Sequence, residues 1–196
     1  NTALGYHALR ANTTGNSNVA TGNNSLFSNT TGIQNTATGA YALQNNSAGD
    51  YNTATGFLSL SANNTGTRNT ASGINSLIAN TSGTGNTAIG TNALTTNITG
   101  DNNTALGRQA DVSSANLGNA TAIGYNATVT TSNRVVLGNS SVTVIGGYAG
   151  WSNLSDSRFK KNIQPNVAGL DFIMKLNPVT YTMDVQKLND FFGRKY

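Results

Sequence analysis

The hydrophobic positions of this chain recur at one fixed interval. Leu9, Leu26, Leu43, Leu60, Leu77 and Leu94 stand 17 residues apart. Ala3, Ala20, Ala37, Ala54, Ala71, Ala88, Ala105 and Ala122 keep the same step. Polar and glycine positions march with them: Asn12, Asn29, Asn46, Asn63, Asn80 and Asn97; Gly5, Gly22, Gly39, Gly56, Gly73, Gly90, Gly107 and Gly124; and a second series, Gly15, Gly32, Gly49, Gly66, Gly83 and Gly100. The unit reads Asn-Thr-Ala-x-Gly-x-x-(Ala/Ser)-Leu-x-x-Asn-x-x-Gly-x-x. A short fixed period denotes stacked repeats. Two glycines per unit, with Asn and Thr through the rest, exclude helix. Each unit is therefore expected to form one coil of a parallel β-solenoid, with a short strand at Thr2–Leu4, a glycine turn, a second strand near Ala8–Leu9 and an Asn/Gly turn. Glycine supplies positive φ and asparagine tolerates it. Stacking sets Ala on Ala, Leu on Leu and Asn on Asn, the last as a hydrogen-bonded ladder. About eight coils at roughly 4.8 Å spacing give a rod about 40 Å long.

One Leu and one Ala per coil, helped by Leu4, Val19, Ile89, Leu106 and Ile123, make a thin core against a backbone ordering cost of about 1–2 kcal/mol per residue. Association of identical rods is expected to bury the rest. The period then changes. Gly124 to Gly138 is 14 residues, Asn133–Gly138 is more apolar than any earlier coil, and Trp151 follows. Both prolines, Pro165 and Pro178, lie beyond. The expected domains are a repeat shaft at 1–132, a terminal coil and connector at 133–154, and a small α+β segment at 155–196. In the last, Leu170–Leu176 is expected to be helical and Val179–Met183 to alternate as a strand.

Composition narrows the function. Asn supplies 31 residues, Thr 28 and Gly 22, while Cys and Glu are absent. That removes disulfides, thiolate metal sites and thiol nucleophiles. The net charge of +4 points at first to nucleic acid, but residues 1–154 balance four Arg against three Asp. The excess sits in 155–196, interleaved with acids and forming no basic stripe. No nucleic-acid partner, cofactor or metal site is expected. No apolar run approaches the ~20 residues of a membrane-crossing helix, so no membrane insertion is expected in this segment. The opening Asn1-Thr2-Ala3-Leu4-Gly5 falls mid-pattern, so a fragment of a longer protein is expected.

The Asn-Thr-Ala-Leu-Gly and Asn-Thr-Ala-Ile-Gly coils over roughly 1–138 resemble the YadA-like head of trimeric autotransporter adhesins. The resemblance implies a left-handed parallel β-roll, three of which pack about a shared axis. The family's usual coil is shorter, which implies a longer loop per turn here. Related heads occur in phage and injection-system fibres. Ser155-Asp156-Ser157-Arg158-Phe159-Lys160-Lys161-Asn162-Ile163, with Gly169-Leu170-Asp171 and Leu176-Asn177-Pro178-Val179-Thr180-Tyr181, resembles the opening of the endosialidase-type intramolecular chaperone. That family is a trimeric C-terminal domain that assists fibre assembly and then releases itself by autoproteolysis. Its Ser–Lys dyad falls on Ser155 and Lys160, with cleavage at or beside Ser155. Asp156, Arg158 and Asn162 belong to the motif in supporting roles. A neutral lysine activates such a serine by taking its hydroxyl proton.

Other candidates read as structural. Asn-x-Ser/Thr occurs at Asn12, Asn29, Asn63, Asn80 and Asn97, formally a glycosylation signal, but its recurrence with the coil favours side-chain bonding in turns. His7 is expected to be a surface loop residue. Asp50 and Asp101 share a coil position three coils apart, about 14 Å by strand spacing, too far for one metal ion. Tyr6, Phe27, Tyr41, Tyr51, Phe57 and Tyr125 suit either an adhesive surface or a subunit interface. Three functions compete. The first is an extracellular homotrimeric fibre or adhesin on a cell surface, virion or injection system, meeting a receptor or glycan. The second is an ice-binding solenoid, with Thr36, Thr53, Thr70 and Thr87 stacked. The third is a polysaccharide-degrading spike, for which the repeat lacks the carboxylate pair that glycoside hydrolysis needs. The first accounts for both halves of the chain.

Overall fold

The computed structural model describes residues 1–147. Nine three-residue strands form one parallel sheet: β1 (Thr2–Leu4), β2 (Val19–Thr21), β3 (Thr36–Thr38), β4 (Thr53–Thr55), β5 (Thr70–Ser72), β6 (Thr87–Ile89), β7 (Thr104–Leu106), β9 (Thr121–Ile123) and β11 (Val135–Leu137). A second, two-stranded parallel sheet pairs β8 (Asp111–Val112) with β10 (Thr128–Val129). Every neighbour in the large sheet from β1 to β9 sits one 17-residue coil on, as in Thr36↔Thr53 and Thr53↔Thr70. The last step shortens to 14, with Thr121↔Val135. Among the described residues the protein is an all-β parallel solenoid of about eight coils without a helix. Residues 1–145 form one compact unit.

The core is three files wide. One, at the position before each leucine, is small and fully buried in Ser25, Ala42, Ser59, Ser76 and Ala93. In β2 to β7 and β9 the middle alanine points inward, and Ala20, Ala37, Ala54, Ala71 and Ala88 are fully buried. Opposite them stand Leu26, Leu43, Leu60, Leu77 and Leu94, also fully buried, with Leu9 at the end of the stack. The expected second strand near Ala8–Leu9 is absent from the first six coils. These leucines lie in a turn, at φ of 49–53°. Leucine tolerates the left-handed region at a cost of about 1–2 kcal/mol, and complete burial of its side chain offsets this by about 1.5–3 kcal/mol. At the next two occurrences of this coil position stand Asp111 and Thr128, the core is filled from the following position by Val112 and Val129, and the turn becomes β8 and β10.

The two glycine series do different things. Gly5, Gly22, Gly39, Gly56, Gly73, Gly90 and Gly107 sit at φ of 129–138°, a region that side chains rarely enter. The second series has no positive φ. A Cβ on Gly66 would lie 2.5 Å from the Gly83 carbonyl oxygen and would also collide with Asn63 Oδ1. Both series let coils approach, since a Cβ on Gly56 would lie 2.6 Å from the Gly73 carbonyl oxygen, and the first also bends the chain.

Candidate functional site

Two columns of asparagine run through the stack. In one, Asn29, Asn46, Asn63, Asn80 and Asn97 each donate from Nδ2 to Oδ1 of the asparagine one coil earlier, at 2.7–3.0 Å. The same amides donate to the glycine carbonyl three residues on, as in Asn63 Nδ2 to Gly66 O at 3.0 Å. The other column is Asn1, Asn18, Asn35, Asn52, Asn69, Asn86 and Asn103. Each Oδ1 accepts from the backbone N–H one coil later, at 2.8–3.0 Å. Each Nδ2 through Asn86 donates to a glycine carbonyl 14 residues on, at 2.7–2.8 Å. The amides thus bond to one another and to backbone groups that would otherwise be buried without partners, a lack worth about 1–3 kcal/mol each. Asn29, Asn63, Asn80 and Asn97 are fully buried, so their Asn-x-Ser/Thr motifs serve the turn and present no free amide to a glycosylating enzyme. The first-position column was missed as a ladder in the sequence reading. Its recurrence beside Thr-Ala was the available signal.

The outer face of the large sheet is the most distinctive surface. Strand alternation projects two files outward: Thr2, Val19, Thr36, Thr53, Thr70, Thr87, Thr104, Thr121 and Val135, and Leu4, Thr21, Thr38, Thr55, Ser72, Ile89, Leu106, Ile123 and Leu137. Neither file holds a charge. In mid-stack both are hydroxyl-bearing, and Thr53, Thr55, Thr70 and Ser72 are exposed. Toward the C-terminal end Ile89, Leu106 and Ile123 form an adjoining apolar file, 43%, 46% and 37% exposed. At the other end Leu4 and Tyr6 are each 68% exposed.

Most side chains with ionisable or aromatic chemistry serve the stack. Asp50 Oδ1 accepts from Ile33 N–H at 2.8 Å and Asp101 Oδ1 from Thr84 N–H at 2.7 Å, each reaching one coil back. Asp111 accepts from Thr95 Oγ1 at 2.8 Å, Thr96 Oγ1 at 2.9 Å and Val112 N–H at 2.8 Å. Arg10 lies over Phe27, Arg68 over Tyr51 and Arg108 over Tyr125, at 5.6, 5.7 and 4.3 Å. Each pair joins one position in adjacent coils. His7 is half-buried, its ring 3.8 Å from that of Tyr6, in a turn position that has positive φ in every coil. Among the described residues no group of three metal-ligating side chains converges, and no helix is long and apolar enough to cross a membrane.

Ser155, Asp156, Arg158, Lys160 and Asn162 lie outside the described residues, as do the helix expected at 170–176 and the strand expected at 179–183. Residues 155–192 match the family model described as chaperone of endosialidase. No curated protein and no solved structure matches the chain.

Proposed function

We propose that the chain is part of an extracellular homotrimeric fibre of the tail-fibre or surface-adhesin kind. Its solenoid, residues 1–132, is the shaft or head, 133–154 ends and connects it, and 155–196 begins an assembly chaperone. The observation that carries this reading is the pairing of an uncharged, apolar-ended sheet face with a following segment that matches the chaperone family. Contiguous apolar surface on a small protein marks an interaction site. Three copies sharing this face would bury Ile89, Leu106 and Ile123 without stranding a charge, which supports the YadA-like arrangement. On the far side the fibre meets a cell-surface receptor or glycan. Leu106→Asp tests the assembly. In a monomer the substitution sits on an exposed position and changes stability by less than about 0.5 kcal/mol. In the trimer it forces charges into a closed contact, so light scattering should report loss of the three-chain species. An unchanged trimer would defeat the choice of face.

The chaperone segment is proposed to cut the chain at or beside Ser155. Bringing three such segments together desolvates Lys160, which favours its neutral amine. That amine takes the Ser155 hydroxyl proton while Oγ attacks the neighbouring peptide carbonyl. The C–N bond then breaks, its nitrogen leaves protonated, and water hydrolyses the ester. Asp156, Arg158 and Asn162 support the segment's local structure. Cleavage waits for assembly, and loss of the chaperone leaves the fibre kinetically trapped. In a full-length product, Ser155→Ala and Lys160→Ala should each give trimers that fold and stay uncut. Normal processing of Ser155→Ala on a denaturing gel would sink the mechanism.

The exposed hydroxyl file at Thr53, Thr55, Thr70 and Ser72 favours one second reading, ice binding. It uses the same face and so excludes the trimer contact there. Thermal hysteresis in dilute solution would establish it in place of the fibre.

A further inference from the structure

On the turn side of the coil the surface changes after Leu94. In the first six coils a turn carrying leucine folds over the core, whereas β8 and β10 lie flat. The change leaves a step below Thr95 and Thr96, and the step opens as a groove of about 420 Å³ lined by Asn92, Gln109, Asp111, Ser113, Asn126 and Thr128. A second hollow of similar volume continues it, sharing Asn126 and Thr128 and reaching Ser140. The groove thus runs along the stacking direction, on a side of the coil away from the outward-facing threonine files.

Its chemistry is narrow. Asp111 is the one charged lining residue, and hydrogen bonds from Thr95, Thr96 and Val112 already hold its carboxylate. Asn92, Gln109 and Asn126 occupy one position in three successive coils, so their amides repeat about every 4.8 Å. The Asn92 and Gln109 oxygens accept from Asn75 Nδ2 and Arg108. No amide nitrogen of the three donates to an acceptor among the described residues. A row of free planar donors flanked by hydroxyls, with the Arg108 guanidinium bonded to Gln109 beside the Asp111 carboxylate, matches a ligand that offers uncharged oxygens at a regular interval.

We infer that this groove binds a linear neutral polysaccharide, whose successive rings lie along the stack with their hydroxyl oxygens accepting from Asn92, Gln109 and Asn126. The inference rests on the fibre reading and gives its surface partner a chemical class. An anionic chain fits less well, because it meets the Asp111 carboxylate inside the groove, whereas the Arg108 guanidinium beside the row is already engaged by Gln109 and the Tyr125 ring.

Affinity electrophoresis of the full chain through gels containing dextran, linear β-1,4-mannan or polygalacturonate tests this. At least one neutral polymer should retard the protein, and polygalacturonate should not. The triple variant Asn92→Leu, Gln109→Leu, Asn126→Leu should lose at least tenfold in affinity. It should also fold, since Leu58 already occupies this coil position at φ 56°. Wild-type protein unretarded by both neutral polymers, preferential binding of polygalacturonate, or full retention by the triple variant would overturn the inference. Sedimentation of the same samples reports assembly separately, so a failed trimer and an empty groove are distinguishable.

Discussion

Leu60 shows how each residue type here answers to the stack more than to its own preference. Its backbone sits at φ 50° while its side chain is fully buried. A second strand was expected there because the unit fits one coil of a β-solenoid with a strand on each side of a glycine turn. The left-handed turn is dictated by the core below and the coil above, information that a single repeat does not display. The asparagine ladder at Asn12 to Asn97 was easier to read than the first-position column, whose amides bond to the backbone of neighbouring coils. The two glycine series look alike as letters and differ in cause, positive φ together with close approach in one and close approach alone in the other. Gly66→Ala isolates the second cause. Its methyl would meet the Gly83 carbonyl at 2.5 Å, backbone on which every later coil rests. Gly146→Ala meets nothing within 4 Å. Thermal unfolding should show Gly66→Ala destabilised by about 1–3 kcal/mol or more, in the range of overpacked cores, and Gly146→Ala unchanged. Equal melting of the two would contradict the close-approach account.

At the scale of the element, the repeat itself holds the register. Each strand is two or three residues long and gains stability only from the coils on either side, as in repeat proteins generally. Removing residues 52–68, one whole coil, would bring Thr36 against Thr70 and Asn46 against Asn80, restoring every ladder. Removing 52–67 would shift all later positions by one and turn the inward alanines outward. Circular dichroism should find the 17-residue deletion folded with a modestly lower melting temperature and the 16-residue deletion unfolded. Comparable folding of both would show that the ladders do not set the register. The sequence made the first strand of each coil plain, since Thr-Ala-x alternates polar and apolar and recurs on schedule. It made the turn side less plain. The change to β8 and β10 coincides with loss of the repeating leucine at Asp111 and Thr128 and a shift of the core side chain to Val112 and Val129, yet its consequence, an open groove, depends on how unlike coils abut. The candidate catalytic residues were legible only as a motif with Ser155 and Lys160 in place, because their chemistry depends on packing that the letters of one chain do not specify.

For the whole molecule, the thin core and the uncharged outer face point the same way. One leucine and two small residues per coil give each rod little apolar interior, and the sheet that covers them turns a second, partly apolar face outward. Obligate oligomers commonly have no stable folded monomer, so their stability depends on protomer concentration. Association through the sheet face would join both observations into one fibre, with the chaperone-like segment placed to bring chains together before the ladders lock. The most direct test is sedimentation equilibrium of the full chain across micromolar concentrations. The account predicts a single species of three chains, with folded structure lost when it dissociates. A folded single chain throughout that range would contradict it.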